Sequence, residues 1–244
     1  MKHLNIIFLF AIFMSMASSP IFAYDCKVNG IYYHLYESDK TAVVTYLSFS
    51  SNKSAYFGNI VIPSSISYGG KQYVVKTIGD YAFRDCNGLK SVTIPNSVGE
   101  LGPFAFQNCS SLASVSLPNS VTIIGQSAFK GCSSLTTLTI PNSVKIIGQS
   151  AFEGCNSLYI TLPNSVEEIG DFALKGCPTI VFNILNNTIP KWFDDIKSYV
   201  TDVKIGGEVT LIGKNAFSGC DKLTSVTIED TNKNLKIETN AFLS

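Results

Sequence analysis

Apolar positions fall in short bursts that recur along most of the chain. Each burst reads Leu-x-x-apolar-x-apolar: Leu89, Val92 and Ile94; Leu112, Val115 and Leu117; Leu135, Leu138 and Ile140; Leu223, Val226 and Ile228. The last two members of a burst are two residues apart, so they share one face of a short strand. Like bursts at like intervals predict strands that pair in parallel, one winding on the next. A proline follows several of them, at Pro95, Pro118, Pro141 and Pro163. Lacking an amide hydrogen, proline cannot extend a ladder and marks the strand's end. Asn96 and Ser97 then turn the chain, and Val98 and Leu101 point inward on the return path.

Other landmarks keep the same beat. Cysteines stand at 86, 109, 132, 155 and 177, and again at 220. Small–large pairs recur as Ala82-Phe83, Ala105-Phe106, Ala128-Phe129, Ala151-Phe152, Ala173-Leu174, Ala216-Phe217 and Ala241-Phe242. A short helical turn is expected to carry each pair, with Ala where windings crowd and Phe83, Phe106, Phe129 and Phe152 forming an internal spine. Gly79, Gly102, Gly125, Gly148, Gly170 and Gly213 serve either a positive φ or a close backbone approach. The stretch 178–206 is an irregular coil. There Trp192-Phe193 stands for Ala-Phe and Ile196 for Cys. Val200, Val203 and Ile205 then give a burst with Gly206 in place of Pro.

A period of about 20–29 residues carrying L-x-x-L-x-L is the leucine-rich-repeat signature. The fold class expected is therefore a β-rich leucine-rich-repeat solenoid, with a period of about 23 residues, parallel strands, short helical turns and an N-terminal β cap. Blocks such as 89–98 (LKSVTIPNSV) and 124–135 (IGQSAFKGCSSL) resemble the BspA-like leucine-rich-repeat family, as does the cap at 24–33. That resemblance implies secreted or surface adhesins, associated with host matrix proteins such as fibronectin and fibrinogen and with other cells.

Ahead of the repeats, Lys2, the apolar run 6–14 and the small residues before Tyr24 read as a signal peptide over 1–23, the alternative being an uncleaved anchor. Secretion or surface display follows, with no membrane span after cleavage. Residues 24–59 are assigned to the β cap, with a hairpin from Tyr32–Tyr36 and the Val43–Phe49 stretch; 60–244 are assigned to the solenoid. Residues 59–63 supply a first repeat strand, and 67–73 an inserted hairpin turning at Gly69-Gly70. At the far end, Ala241-Phe242 either frays or leaves an edge through which two chains could associate.

Composition narrows the function. The 244 residues carry a formal net charge of zero, are 45% hydrophobic and only 15% charged. Such a chain is too apolar to be disordered and lacks the basic excess of a nucleic-acid binder. One cysteine per winding at one phase is read as a buried thiol ladder rather than as bridges, because parallel Cβ vectors make the disulfide dihedral awkward. Zinc is disfavoured for want of C-x-x-C and histidine. Past the leader the chain has one histidine, His34, and its adjacent acids, Glu167-Glu168 and Asp194-Asp195, read as solvated charges. No phosphate-cradling motif is present, so neither enzyme chemistry nor a cofactor is expected.

That leaves the surface. Lys90, Thr93, Ser116, Thr137, Thr139, Tyr159 and Thr161 are expected on the outward strand face. Such a face could simply be a solvated sheet, since Thr suits strands. It could also receive a host matrix or cell-surface protein, or alternatively a glycan, through many weak hydrogen bonds. Trp192 is the only tryptophan, and is either a core plug or an exposed hot spot.

Overall fold

A computed structural model describes residues 24–47, 56–163, 165–184, 189, 193–229 and 234–242. The leader 1–23 and Trp192 lie outside the described residues.

The chain opens with an antiparallel cap of β1 (Cys26–Val28), β2 (Ile31–Tyr36) and β3 (Thr41–Thr45). β4 (Phe57–Val61) supplies the first repeat strand, then β5 (Ser65–Tyr68) and β6 (Lys71–Ile78) form the Gly69-Gly70 hairpin. β6 also pairs in parallel with β3, so the hairpin joins the cap to the repeats. The windings follow as pairs of strands: β7 (Gly88–Thr93) and β8 (Glu100–Leu101); β9 (Ser114–Ser116) and β10 (Ile123–Ile124); β11 (Thr137–Thr139) and β12 (Ile146–Ile147); β13 (Tyr159–Leu162) and β14 (Glu168–Ile169). The irregular coil then contributes β15 (Thr179–Ile184), a single turn of helix α1 (Phe193–Ile196) and a 3-10 turn at Lys197–Tyr199. β16 (Asp202–Ile205), β17 (Leu211–Ile212), β18 (Ser225–Ile228) and β19 (Lys236–Ile237) complete the stack.

The L-x-x-V-x-I bursts build one wall of parallel strands, in two hydrogen-bonded sheets, β4-β7-β9 and β11-β13-β15-β16-β18. The ladder lapses between β9 and β11, although these strands lie side by side. A second wall comes from the two-residue strands before each Gly, in the order β6-β8-β10-β12-β14. Its rungs are too short to show alternation in the sequence, which is why only the inward turn of Leu101 was expected there.

Between the walls, the Ala-Phe turns stack. Phe83 donates its amide to Ala105 O, Phe106 to Ala128 O, Phe129 to Ala151 O and Phe152 to Ala173 O, each at 2.7 Å. The turns are i→i−3 hydrogen-bonded turns rather than helix, because residues with φ near 60°, such as Tyr81 and Asp85, interrupt them. Tyr56, Phe83, Phe106, Phe129 and Phe152 form the spine, with centroids 4.6 to 5.4 Å apart. Each buried ring is worth roughly 1.5–3 kcal/mol of apolar transfer. Leu174 interrupts the run, and Phe193, Phe217 and Phe242 resume it. Ala241 and Phe242 are thus stacked on the preceding winding, Phe217 N–H donating to Ala241 O.

The cysteines are free and, apart from half-buried Cys177, fully buried. Their thiols donate across windings: Cys109 to Phe83 O at 2.9 Å, Cys132 to Phe106 O and Cys155 to Phe129 O at 3.1 Å. Gly79, Gly102, Gly125, Gly148 and Gly170 answer to close approach, not to positive φ. A Cβ on Gly125 would sit 2.7 Å from the backbone at Leu101 and Gly102, and one on Gly148 would sit 2.5 Å from Gln126 N. Gly213 differs: among the described residues nothing lies within 4 Å of such a Cβ, and β17 pairs with β19.

Candidate functional site

Strand alternation sends Val92, Val115, Leu138 and Ile160 into the core and the intervening residues outward. The register then lines up like positions. Ser91 faces Ser114, and Thr93 faces Ser116. Beyond the lapse in the ladder, Thr137 faces Tyr159, and Thr139 faces Thr161. Of the residues expected on this face, Lys90, Thr93, Ser116, Thr137, Thr139 and Tyr159 are exposed and Thr161 is half-buried. Lys90 is the extra residue of a β-bulge opposite Gly58 and Asn59, so it stands outside the paired rows. Trp192 cannot be placed on this face or off it, being outside the described residues.

Two apolar features of this wall were not anticipated. At its N-terminal margin Phe57 is 78% and Val61 70% exposed, both on the outer side of β4. In the irregular coil the rows end at Val181, which is fully buried although it stands in register with Thr161 and Asp202. β15 is therefore apolar on both faces, and the hydroxyl rows run cleanly only through the regular windings. The period-2 pattern of Phe57, Asn59 and Val61 was the available signal for the first feature. None marks the second, since Thr179-Ile-Val-Phe reads as an ordinary apolar burst.

Charged groups sit at the periphery of this wall. His34 Nδ1 lies 2.8 Å from Asp25 Oδ2, which also accepts the Leu35 amide, so this histidine ties cap strands together. Glu37 accepts from Lys40, Lys71 and the Tyr73 hydroxyl, and these partners hold its carboxyl down at about 2. Burial raises Asp80 and Glu100, on the second wall's side. Glu167 pairs with Lys145, and Asp194 with Lys197, as exposed ion pairs. Among the described residues no three His, Cys, Asp or Glu side chains gather to hold a metal ion. Burial drives the ladder thiols upward, Cys132 to about 12, which removes their nucleophilic form.

The repeat geometry has known counterparts. The BspA type Leucine rich repeat region matches in six copies over residues 53–181 and 190–244. The chain therefore belongs to the BspA-type leucine-rich-repeat family. A leucine-rich-repeat protein of T. pallidum is 27% identical, with a TM-score of 0.56, covering 84% of this chain and 83% of that one. A leucine-rich-repeat protein of Bacteroides capillosus is 30% identical over 55% of this chain and 96% of its own, with a TM-score of 0.45. The pneumococcal vaccine antigen PcpA shares 19% identity, with a TM-score of 0.49, over 86% of this chain and 74% of that one. No curated protein matches. Leucine-rich-repeat solenoids are protein-interaction modules that present extended surfaces, and their repeats are typically non-catalytic. Among the described residues no helix is long and apolar enough to cross a membrane.

Proposed function

We propose that this chain is an extracytoplasmic, adhesin-like interaction protein, secreted or held at the cell surface. It binds a host matrix or cell-surface protein through the outer wall of the solenoid. One observation carries this reading: the recurrent side chains hold windings together, whereas the in-register pairs Thr93 with Ser116 and Thr137 with Tyr159, and Thr139 beside them, are exposed and committed to no core contact. Hydroxyls in rows about 4.8 Å apart offer an extended polypeptide repeated donors and acceptors at low desolvation cost. The leader at 1–23 supplies the route out of the cytoplasm.

The test is a binding measurement of the purified chain on immobilised fibronectin, fibrinogen and intact host cells. The wild-type chain is expected to bind at least one, and a Thr137→Glu/Thr139→Glu variant that keeps its melting temperature is expected to lose about tenfold or more. Retained binding in that variant moves the interface elsewhere. No binding to any of the three refutes the reading.

A further inference from the structure

Among the described residues the second wall's ladder runs as far as β14, and β17 pairs with β19. Between the turn that follows β14 and the helical turn of the irregular coil lies a cleft of about 160 Å³ lined by Gly170–Leu174, Asp195, Ile196 and Tyr199. Drug-sized pockets run to roughly 300–1,000 Å³, so this one has room for a single ring or a single side chain.

Its aromatic group, Phe172, is more exposed than the aromatic residues at the same place in earlier windings. The equivalent residues Tyr81 and Phe104 lie ring on ring, 5.0 Å apart and 2° from parallel. Phe172 follows Ser150 in that column, is 53% exposed, and carries the Lys175 ammonium 5.2 Å from its centroid. Across the cleft, Tyr199 carries the Lys222 ammonium at 5.8 Å. Asp171 and Asp195 complete the lining as exposed carboxylates.

These groups select among ligand chemistries. A cation must displace or face the two ammoniums already drawn to the rings. An anion meets two carboxylates. A purely apolar group strips water from those carboxylates and returns no hydrogen bond. A neutral, hydroxylated ring with an apolar C–H face meets every requirement. Its C–H groups lie against the exposed part of the Phe172 ring, and its hydroxyls donate charge-assisted hydrogen bonds to Asp171 and Asp195. We infer that this cleft is a subsite for one pyranose unit of a neutral glycan, with Phe172 as the platform and Asp171 and Asp195 as hydroxyl acceptors. This site is separate from the strand wall assigned to a protein partner.

The probes are the methyl glycosides of glucose, galactose, mannose and N-acetylglucosamine, followed by saturation-transfer NMR and titration on the full chain. At least one is expected to bind at about millimolar strength, and Phe172→Ala to weaken it about tenfold or more. Phe172→Trp should restore binding, and Asp195→Asn should weaken it. Because Phe172 is half exposed, Phe172→Ala is expected to keep the wild-type circular dichroism and melting temperature; if it does not, Asp195→Asn carries the test. The Thr137→Glu/Thr139→Glu variant should bind sugar as wild type does, which separates this site from the protein-binding wall. Three results overturn the inference: no transfer to any of the four glycosides, binding unchanged by Asp195→Asn or by a folded Phe172→Ala, or preferential binding of N-acetyl-lysine methylamide.

Discussion

The windings from Gly79 to Gly170 and the coil from 178 to 206 solve one packing problem in two ways. In the regular windings the chain returns so near itself that successive glycines touch backbone to backbone, and the second wall keeps its ladder unbroken from β8 to β14. In the irregular coil the strand wall continues through β15 and β16. There a helical turn replaces the Ala-Phe turn, Phe193 keeps the spine, and Ile196 occupies the cysteine's place. The strand wall and a filled centre carry the solenoid through the irregular coil, and a cleft lies beside its helical turn.

The glycines offer the strongest way to break this comparison. Gly148→Ala drives a methyl group to within 2.5 Å of Gln126 N, so the windings must part. A loss of about 3 kcal/mol or more, or failure to fold, is expected. Gly213→Ala meets nothing within 4 Å among the described residues and should change stability by no more than about 0.5 kcal/mol. Urea denaturation of the two variants measures both. Equal losses would mean that the fault at 178–206 is packed like the rest.

The thiols sharpen the contrast at intermediate scale. Burial lifts Cys132 and Cys177 to about 12 and Cys220 to about 11, from an ordinary 9.0. A raised value means that the native chain holds the proton more tightly than the unfolded chain does. This contribution to stability is therefore complete below pH 9 and is lost as pH climbs through 11 to 12. A melting-temperature series across alkaline pH should fall in that window. Timed alkylation of the native protein should modify half-buried Cys177 and the less elevated Cys220, which flank the fault, before Cys109, Cys132 and Cys155. Uniform labelling along the ladder would contradict the picture.

The smallest effect concerns ion pairs. Lys130 and Glu153 join adjacent regular windings at 2.8 Å, whereas Lys197 and Asp194 pair within the irregular coil at 3.1 Å. Double-mutant cycles should give up to about 1 kcal/mol for the first and about 0.3–0.5 kcal/mol for the second. Their order matters more than their size. A stronger pair within the irregular coil would make charge, rather than the strand wall, the bond across the fault.

Much of the fold was legible because it is periodic. Phe83, Phe106, Phe129 and Phe152 announce a spine by phase alone, and the cysteines announce a ladder in the same way. The Gly69-Gly70 hairpin declared itself through turn chemistry. The second wall was not legible, since Ile123-Ile124 or Glu100-Leu101 is too short to display a period. The left-handed backbone at Tyr81, Phe104 and Phe172 was hidden too, because aromatic residues carry no signal for it. Of the candidate surface, the hydroxyl rows could be listed residue by residue. The exposure of Phe172 could not, for in the repeat frame it is one more variable residue ahead of Ala-Phe.

Sequence alone fixed which residues face inward, because a side chain's face follows from its place in a repeated strand or turn, and repetition makes that place unambiguous. Tertiary structure decided what happens where repetition fails. Whether Gly213 is crowded, whether Val181 is covered and whether Phe172 finds a neighbouring ring depend on the winding stacked alongside. That is a contact between residues some twenty positions apart, and no local pattern encodes it.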